Sequence, residues 1–123
     1  MKKTSLKNLK IYLAGHNGMV GRALFDNFKK IGAKKIIISS RKNLDLLDVN
    51  KLRKFIKKNK PDIIINCAGR VGGILANSTY PVQFLNENIL IQLNLINLAF
   101  ENNVKHFINL GSSCIYPKNS KQP

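Results

Sequence analysis

Three glycines fix most of what this chain can become. Gly15, Gly18 and Gly21 stand in the run GHNGMVG, residues 15–21. The run follows the strand-like stretch KIYLA, residues 10–14, and leads into Val20, Leu24, Phe28 and Ile31 at helical spacing. Between a strand and a helix, each glycine has a physical use. Gly15 permits the tight turn, Gly18 lets backbone N–H groups approach a pyrophosphate, and Gly21 lets the helix pack closely on the sheet. A glycine-rich turn without a ligand is the alternative. The position at the first strand-to-helix turn favours a phosphate site.

The rest of the chain repeats this alternation. Residues 35–38 (KIII) and 63–66 (IIIN) are buried-type strands, and His106 to Leu110 is a fourth. Gly32 stops the first helix. A second helix opens at Asp48, with Leu52, Phe55 and Ile56 inward and Lys51, Lys54, Lys57 and Lys58 outward, and ends before Pro61. Ile89, Leu93, Ile96 and Phe100 mark a long helix near 84–102. The order β-α-β-α-β-α-β, with nearly continuous apolar strands, predicts an α/β fold: a doubly wound parallel sheet covered on both faces. The simplest topology has strand order 3-2-1-4. No repeat, low-complexity linker or internal domain boundary interrupts residues 1–123.

Charge invites another function class. The chain carries 21 basic and 6 acidic side chains, a formal charge of +15, concentrated in residues 1–60. That suggests nucleic acid. Yet only 4 of the basic residues are Arg, and Lys, Asn and Ile number 17, 16 and 15. AT-rich codons encode those three residues, so base composition accounts for the bias. A nucleic-acid face is expected to use Arg for readout and aromatics for stacking. Solvated lysines on helix surfaces are the better reading, and no nucleic-acid partner is expected. Two cysteines make no disulfide framework, and no metal site is expected. No apolar run reaches the ~18 residues of a membrane span, and no signal peptide is evident. A cytoplasmic protein without membrane contact is the expectation.

Cofactor choice is read at the end of the second strand. An acidic residue there would accept the ribose 2′-hydroxyl of NAD. This chain has Ser39, Ser40, Arg41 and Lys42 instead, which suits the 2′-phosphate of NADP. Arg41 is the stronger candidate, because Arg is rare here and suits bidentate phosphate contact. A solvated Lys/Arg pair is the alternative. His16 either donates to a phosphate or is a solvated loop histidine. Cys67 is read as packing beside the cofactor. Asn66 and Asn88 are read as hydrogen-bonding loop backbone or touching the cofactor.

Two further segments carry a resemblance. Read with GHNGMVG, the segments RVGGILANSTYP (70–81) and GSSCIYPK (111–118) resemble GDP-L-fucose synthases. These are extended short-chain dehydrogenase/reductases with a Rossmann-like NAD(P)-binding fold. The resemblance covers essentially all 123 residues, but only about the first two-fifths of a typical member. It implies an NADPH-dependent enzyme that epimerises GDP-4-keto-6-deoxy-D-mannose at C3 and C5 and reduces C4, with a GDP-sugar as partner and a homodimer as the assembly. Ser112 matches the serine that hydrogen-bonds the C4 oxygen, and Cys114 the acid/base cysteine of epimerisation. Gly15, His16, Asn17, Gly18, Met19, Val20 and Gly21 match the pyrophosphate loop. Arg41, Lys42, Asn43, Leu44, Asp45 and Leu46 match the stretch around the 2′-phosphate and adenosine. Asp48 resembles the adenine-facing aspartate. Leu110, Gly111, Ser112 and Ser113 match residues beside the nicotinamide ribose.

The chemistry fits those matches. A carbon beside a ketone loses its proton because the carbanion delocalises into an enolate, and inversion needs an acid and a base on opposite faces. A thiol whose pKa is poised by its surroundings suits that work. A serine hydroxyl can donate to the carbonyl oxygen as charge develops there. Without this context Cys114 reads as a small buried hydrophobe. Three departures limit the carry-over. The Tyr-x-x-x-Lys pair is absent, since neither Tyr80 nor Tyr116 has a lysine four residues on. The later histidine and the substrate-binding lobe are not in these residues. Asn17 stands where many relatives have a basic residue. The expectation is an NADP-binding portion, its sheet ending after the fourth strand and inactive alone. The rival reading is a dinucleotide-binding module of another sugar-nucleotide epimerase or dehydratase without catalysis of its own.

Overall fold

The structure, a computed structural model, describes residues 6–112, 115–117 and 119–121. A short 3-10 turn at Leu6–Asn8 leads into strand β1 (Lys10–Ala14) and helix α1 (Met19–Lys30). Strand β2 (Lys35–Ile37), helix α2 (Val49–Asn59) and strand β3 (Ile63–Asn66) follow. Helices α3 (Ile74–Thr79) and α4 (Pro81–Glu101) then precede strand β4 (His106–Asn109). All strands are parallel, so the α/β reading holds.

The strand order is β2-β1-β3-β4, which corrects the expected 3-2-1-4. β3 pairs with β1, not with β2. Burial explains the choice. All four residues of β3 and four of the five in β1 are buried, so both strands need neighbours on each side. β2 has three residues and begins at exposed Lys35, which suits an edge. The β2–α2 connection carries Leu44 and Leu46 into the core beside α2 and α4. There Asn94 donates from Nδ2 to the Leu46 carbonyl at 2.8 Å. The chain thereby crosses over β1 before β3 begins.

Two apolar layers sandwich the sheet. Tyr12, Leu52, Ile56, Ile64, Leu95 and Leu98 form one, with the Tyr12 and Phe55 rings 5.0 Å apart. Ile11, Leu13, Ile63 and Ile65 form the other, against Leu24, Phe25 and Phe28 of α1. Three helix ends have a local cause. Gly32, at φ +78°, lets the chain leave α1, and its N–H donates to the Lys29 carbonyl. Asp48 caps α2 by accepting from the Lys51 N–H at 3.0 Å, and that bond holds its carboxyl below the usual range. Lys60 closes α2 in the left-handed region at φ +49°, just before Pro61.

α4 departs from the expected reading in one respect. Ile89, Leu93, Ile96 and Phe100, the stripe that reveals it in the sequence, are exposed. Its buried residues are Phe84, Ile91, Leu95, Leu98 and Ala99. The helix is apolar on more than one face, so periodicity finds the helix without choosing the inward side. α3 is unexpected: six residues held by Ser78 and Thr79 hydroxyls donating to the Leu75 carbonyl and by the Asn77 amide donating to Gly72 and Gly73. Among the described residues, no helix is long and apolar enough to cross a membrane.

Polar groups lock the sheet at both ends. Asp62, just before β3, accepts from the Lys10 N–H at 2.9 Å and from Lys105 Nζ at 2.8 Å. Its own carbonyl accepts from the Lys105 and His106 N–H groups. One residue thus gathers the starts of β1, β3 and β4. At the other end, buried Asn66 donates from Nδ2 to Asn109 Oδ1 at 2.8 Å across β3 and β4.

Two stability outcomes follow from these contacts. The Lys105 ammonium and the Lys10 N–H hold the Asp62 carboxyl below the usual carboxylate range. A lowered folded-state pKa gives stability that is fully present above the unfolded value of about 3.9 and is lost as pH falls through the folded value. Asp62→Asn is therefore expected to cost about 1 kcal/mol in urea unfolding at pH 7, and the difference between the two proteins is expected to shrink as pH falls through the lowered carboxylate value. Gly21 lies on α1 where an added Cβ would collide with the Gly15 carbonyl, whereas at Gly18 the same atom would sit 3.4 Å from that oxygen. Ala ordinarily stabilises a helix interior by about 1 kcal/mol over Gly. Here the sign reverses: Gly21→Ala is expected to lose more than about 2 kcal/mol in thermal unfolding, and Gly18→Ala less than about 1 kcal/mol.

Candidate functional site

A cavity of about 590 Å³ opens at the carboxyl ends of the strands, where open α/β sheets bind ligands. The turn after β1 forms its floor. Gly15 takes φ +79° and accepts a hydrogen bond from the Gly18 N–H at 3.0 Å. A Cβ on Gly15 would lie 2.6 Å from the Ala68 nitrogen, so only glycine lets this turn pass the end of β3. Gly18 is the N-cap of α1 and supplies no side-chain cap. The first-turn N–H groups of α1 therefore face the cavity with the positive end of the helix dipole. The His16 Nδ1 is buried there and, among the described residues, has no hydrogen-bond partner.

The segments after β2 and β3 make the walls. Ser40 accepts from the Asn43 and Leu44 N–H groups, which folds residues 40–44 into a turn with Arg41 at its tip. Asp45 accepts from the Leu47 N–H at 3.0 Å and pairs with Arg41 at 3.6 Å. Asn66 accepts from the Ala68 N–H at 3.0 Å. Asn88, on α4, accepts from the Arg70 N–H at 2.7 Å and donates to its carbonyl at 3.0 Å. Both asparagines thus do the backbone work proposed for them from sequence. Cys67 lines the cavity, and burial pushes its thiol up, so it stays protonated.

The structure gathers most of the residues singled out in the sequence. Gly15, His16, Asn17, Gly18, Met19, Val20, Arg41, Leu44, Asp45, Leu46 and Leu110 line the cavity. Gly21 stands behind it, in contact with Gly15. Lys42 and Asn43 are exposed on the 40–44 turn and do not line it. Asp48 is occupied as the α2 cap, with its carboxylate 3.3 Å from Lys51 Nζ, and does not line it either. Gly111 and Ser112 follow Leu110 without joining the lining, while Ser113 and Cys114 lie outside the described residues. No cluster of three His, Cys, Asp or Glu suited to a metal occurs among the described residues.

Two charged lining residues, Arg70 and Glu87, are among those the sequence did not single out. Arg70 pairs with Glu87 of α4 at 2.5 Å and lies 4.8 Å over the Phe84 ring. Glu87 also reaches Arg41 at 3.7 Å. The available signal was scarcity: Arg70 is one of 4 Arg, and Glu87 one of 6 acidic residues.

The cradle fits a dinucleotide: an uncapped helix start, a Gly18 where an added Cβ would only touch the Gly15 oxygen, a buried imidazole nitrogen with no partner among the described residues and two guanidinium groups at the wall. Comparisons agree. GDP-L-fucose synthase of Escherichia coli is 40% identical over 114 residues, covering 93% of this chain and 36% of that protein. GDP-L-colitose synthase of Yersinia pseudotuberculosis is 45% identical over 110 residues, covering 89% of this chain and 35% of that one. The GDP-mannoheptose C4 reductase MlghC of Campylobacter jejuni, solved with NADP bound, superposes with a TM-score of 0.89 at 39% identity, covering 95% of this chain and 37% of its own. The chain thus spans little more than a third of the length of these relatives. Residues 11–123 match the NAD dependent epimerase/dehydratase family, and the chain belongs to that family.

Proposed function

We propose that residues 1–123 form the NADP-binding portion of a GDP-sugar epimerase/reductase of the GDP-L-fucose synthase type. The observation that carries this reading is the cavity itself, with the uncapped α1 start at one wall and Arg41 at another. The first-turn amides of α1 and the His16 ring would hold the pyrophosphate. Arg41, with Ser39 and Ser40 beside it, would hold the 2′-phosphate. Leu110 would flank the nicotinamide ribose. NADPH, when bound, supplies the hydride for C4. The chain's own part is to place a sugar C4 oxygen near Ser112, whose hydroxyl would donate to it as charge develops. Cys114 would exchange a proton beside the ketone.

One observation shapes the substrate. Relatives of similar identity are described as a fucose synthase, a colitose synthase and a mannoheptose C4 reductase, which share a GDP-sugar. A GDP-sugar is therefore the substrate class we assign, with a 6-deoxy sugar within it. The exposed apolar residues of α4, Val82, Leu85, Leu93 and Phe100 among them, support a homodimer.

Binding tests the cofactor. In calorimetric titration, Arg41→Ala is expected to weaken NADP⁺ about tenfold and leave NAD⁺ nearly unchanged. An equal loss for both would make Arg41 a support of the fold. Catalysis needs the acid of Tyr-x-x-x-Lys, so residues 1–123 alone are expected to oxidise no NADPH with GDP-4-keto-6-deoxy-D-mannose. When that function is restored by fusion to the remainder of a relative, Cys114→Ser is expected to slow deuterium wash-in from solvent at C3 and C5 at least tenfold. Ser112→Ala should slow both wash-in and hydride transfer. Wash-in that survives Cys114→Ser would remove Cys114 from the acid/base role.

A further inference from the structure

The carboxylate of Glu87 is shared between two arginines from two different walls of the cavity. Its Oε1 meets Arg70 Nη1 at 2.5 Å, and its Oε2 lies 3.7 Å from Arg41 Nη2. The two partners are held very differently. Arg70 is fixed by the two backbone hydrogen bonds to Asn88 and by the Phe84 ring under its guanidinium. The Arg41 side chain is 72% exposed, and both of its ion pairs, to Glu87 and to Asp45, are long. Arg41 can therefore change partners at little cost, while Arg70 continues to neutralise Glu87. No buried carboxylate is stranded by the exchange.

We propose that Glu87 is a specificity-determining residue of the nucleotide cleft: its carboxylate competes with a 2′-phosphate for Arg41 and narrows the margin by which NADP is preferred over NAD. The inference rests on the reading of Arg41 as the 2′-phosphate ligand. A 2′-phosphate must take Arg41 away from a carboxylate that already neutralises it, and must then sit near that carboxylate. A ribose 2′-hydroxyl makes no such demand. Glu87 thus acts on one dinucleotide and not on the other, although it lies 46 positions from Arg41 on a different element.

Calorimetric titration of the full 123-residue chain with NADP⁺ and with NAD⁺ tests this in four proteins: unsubstituted, Glu87→Gln, Arg41→Ala and the double variant. Both dinucleotides titrate the same preparation, so any loss of folded fraction cancels from the ratio of dissociation constants. Glu87→Gln is expected to raise the preference for NADP⁺ about two- to fivefold, the range of an exposed ion pair, through tighter NADP⁺ and unchanged NAD⁺. That rise should vanish in the Arg41→Ala background. A preference that stays put or falls in Glu87→Gln, or a rise that persists without Arg41, overturns the competition. If Arg41→Ala alone leaves the preference untouched, the assignment of Arg41 fails, and this inference with it. If Arg41→Ala lowers the preference and Glu87→Gln does not raise it, only this inference fails.

Discussion

The approach of two backbones at Gly15 is the constraint on which the rest of this molecule depends. The turn after β1 passes so close to Cys67 and Ala68 that a single methyl group at Gly15 has nowhere to go. Gly21 then brings α1 down onto that same turn. Three elements, β1, α1 and the end of β3, converge within van der Waals contact of one another. The convergence aims the α1 start at the cavity and sets the cavity's depth. Side chains elsewhere can be exchanged for others of similar volume, but a backbone-to-backbone contact admits no substitute.

The sequence was most informative where chemistry is local. The strands at 10–14 and 63–66 matched residue for residue, and the α2 cap, Gly32 and the glycine turn followed from propensities that act over a few residues. Strand order was misread because it depends on which strand needs two neighbours. That is visible only in the contrast between wholly buried β3 and the short, lysine-led β2. α3 was missed because its Asn, Ser and Thr residues read as loop, while their side chains in fact bond back to the helix's own carbonyls. Arg70 and Glu87 went unseen because neither sits in a motif, and their pairing is made by the fold alone.

The heavy positive charge has a plain structural place. Lys51, Lys54, Lys57 and Lys58 are exposed on α2, whose buried side is Leu52 and Ile56. Several lysines fall in the last turns of α1 and α2, where cations offset the negative ends of the helix dipoles. The cavity shows the opposite economy. Its charged side chains are few and mutually paired, arginine against glutamate and aspartate. Charge is abundant where it only meets water and sparing where it meets a ligand.

The rung between Asn66 and Asn109 has a consequence for how the sheet assembles. Ile63, Ile64 and Ile65 are three identical residues in a row, and the neighbouring β1 and β4 each offer a further isoleucine to pair with. Such a strand has almost nothing in its apolar content to distinguish one alignment from another. Sliding β4 by two positions would keep its faces but seat Phe107 opposite Asn66, leaving a buried amide without an acceptor at a cost of about 1–3 kcal/mol. A single polar pair thus works as an indexing pin in a repetitive rack. It tells interchangeable isoleucines where to stop, and so delivers Leu110 to the rim of the cavity.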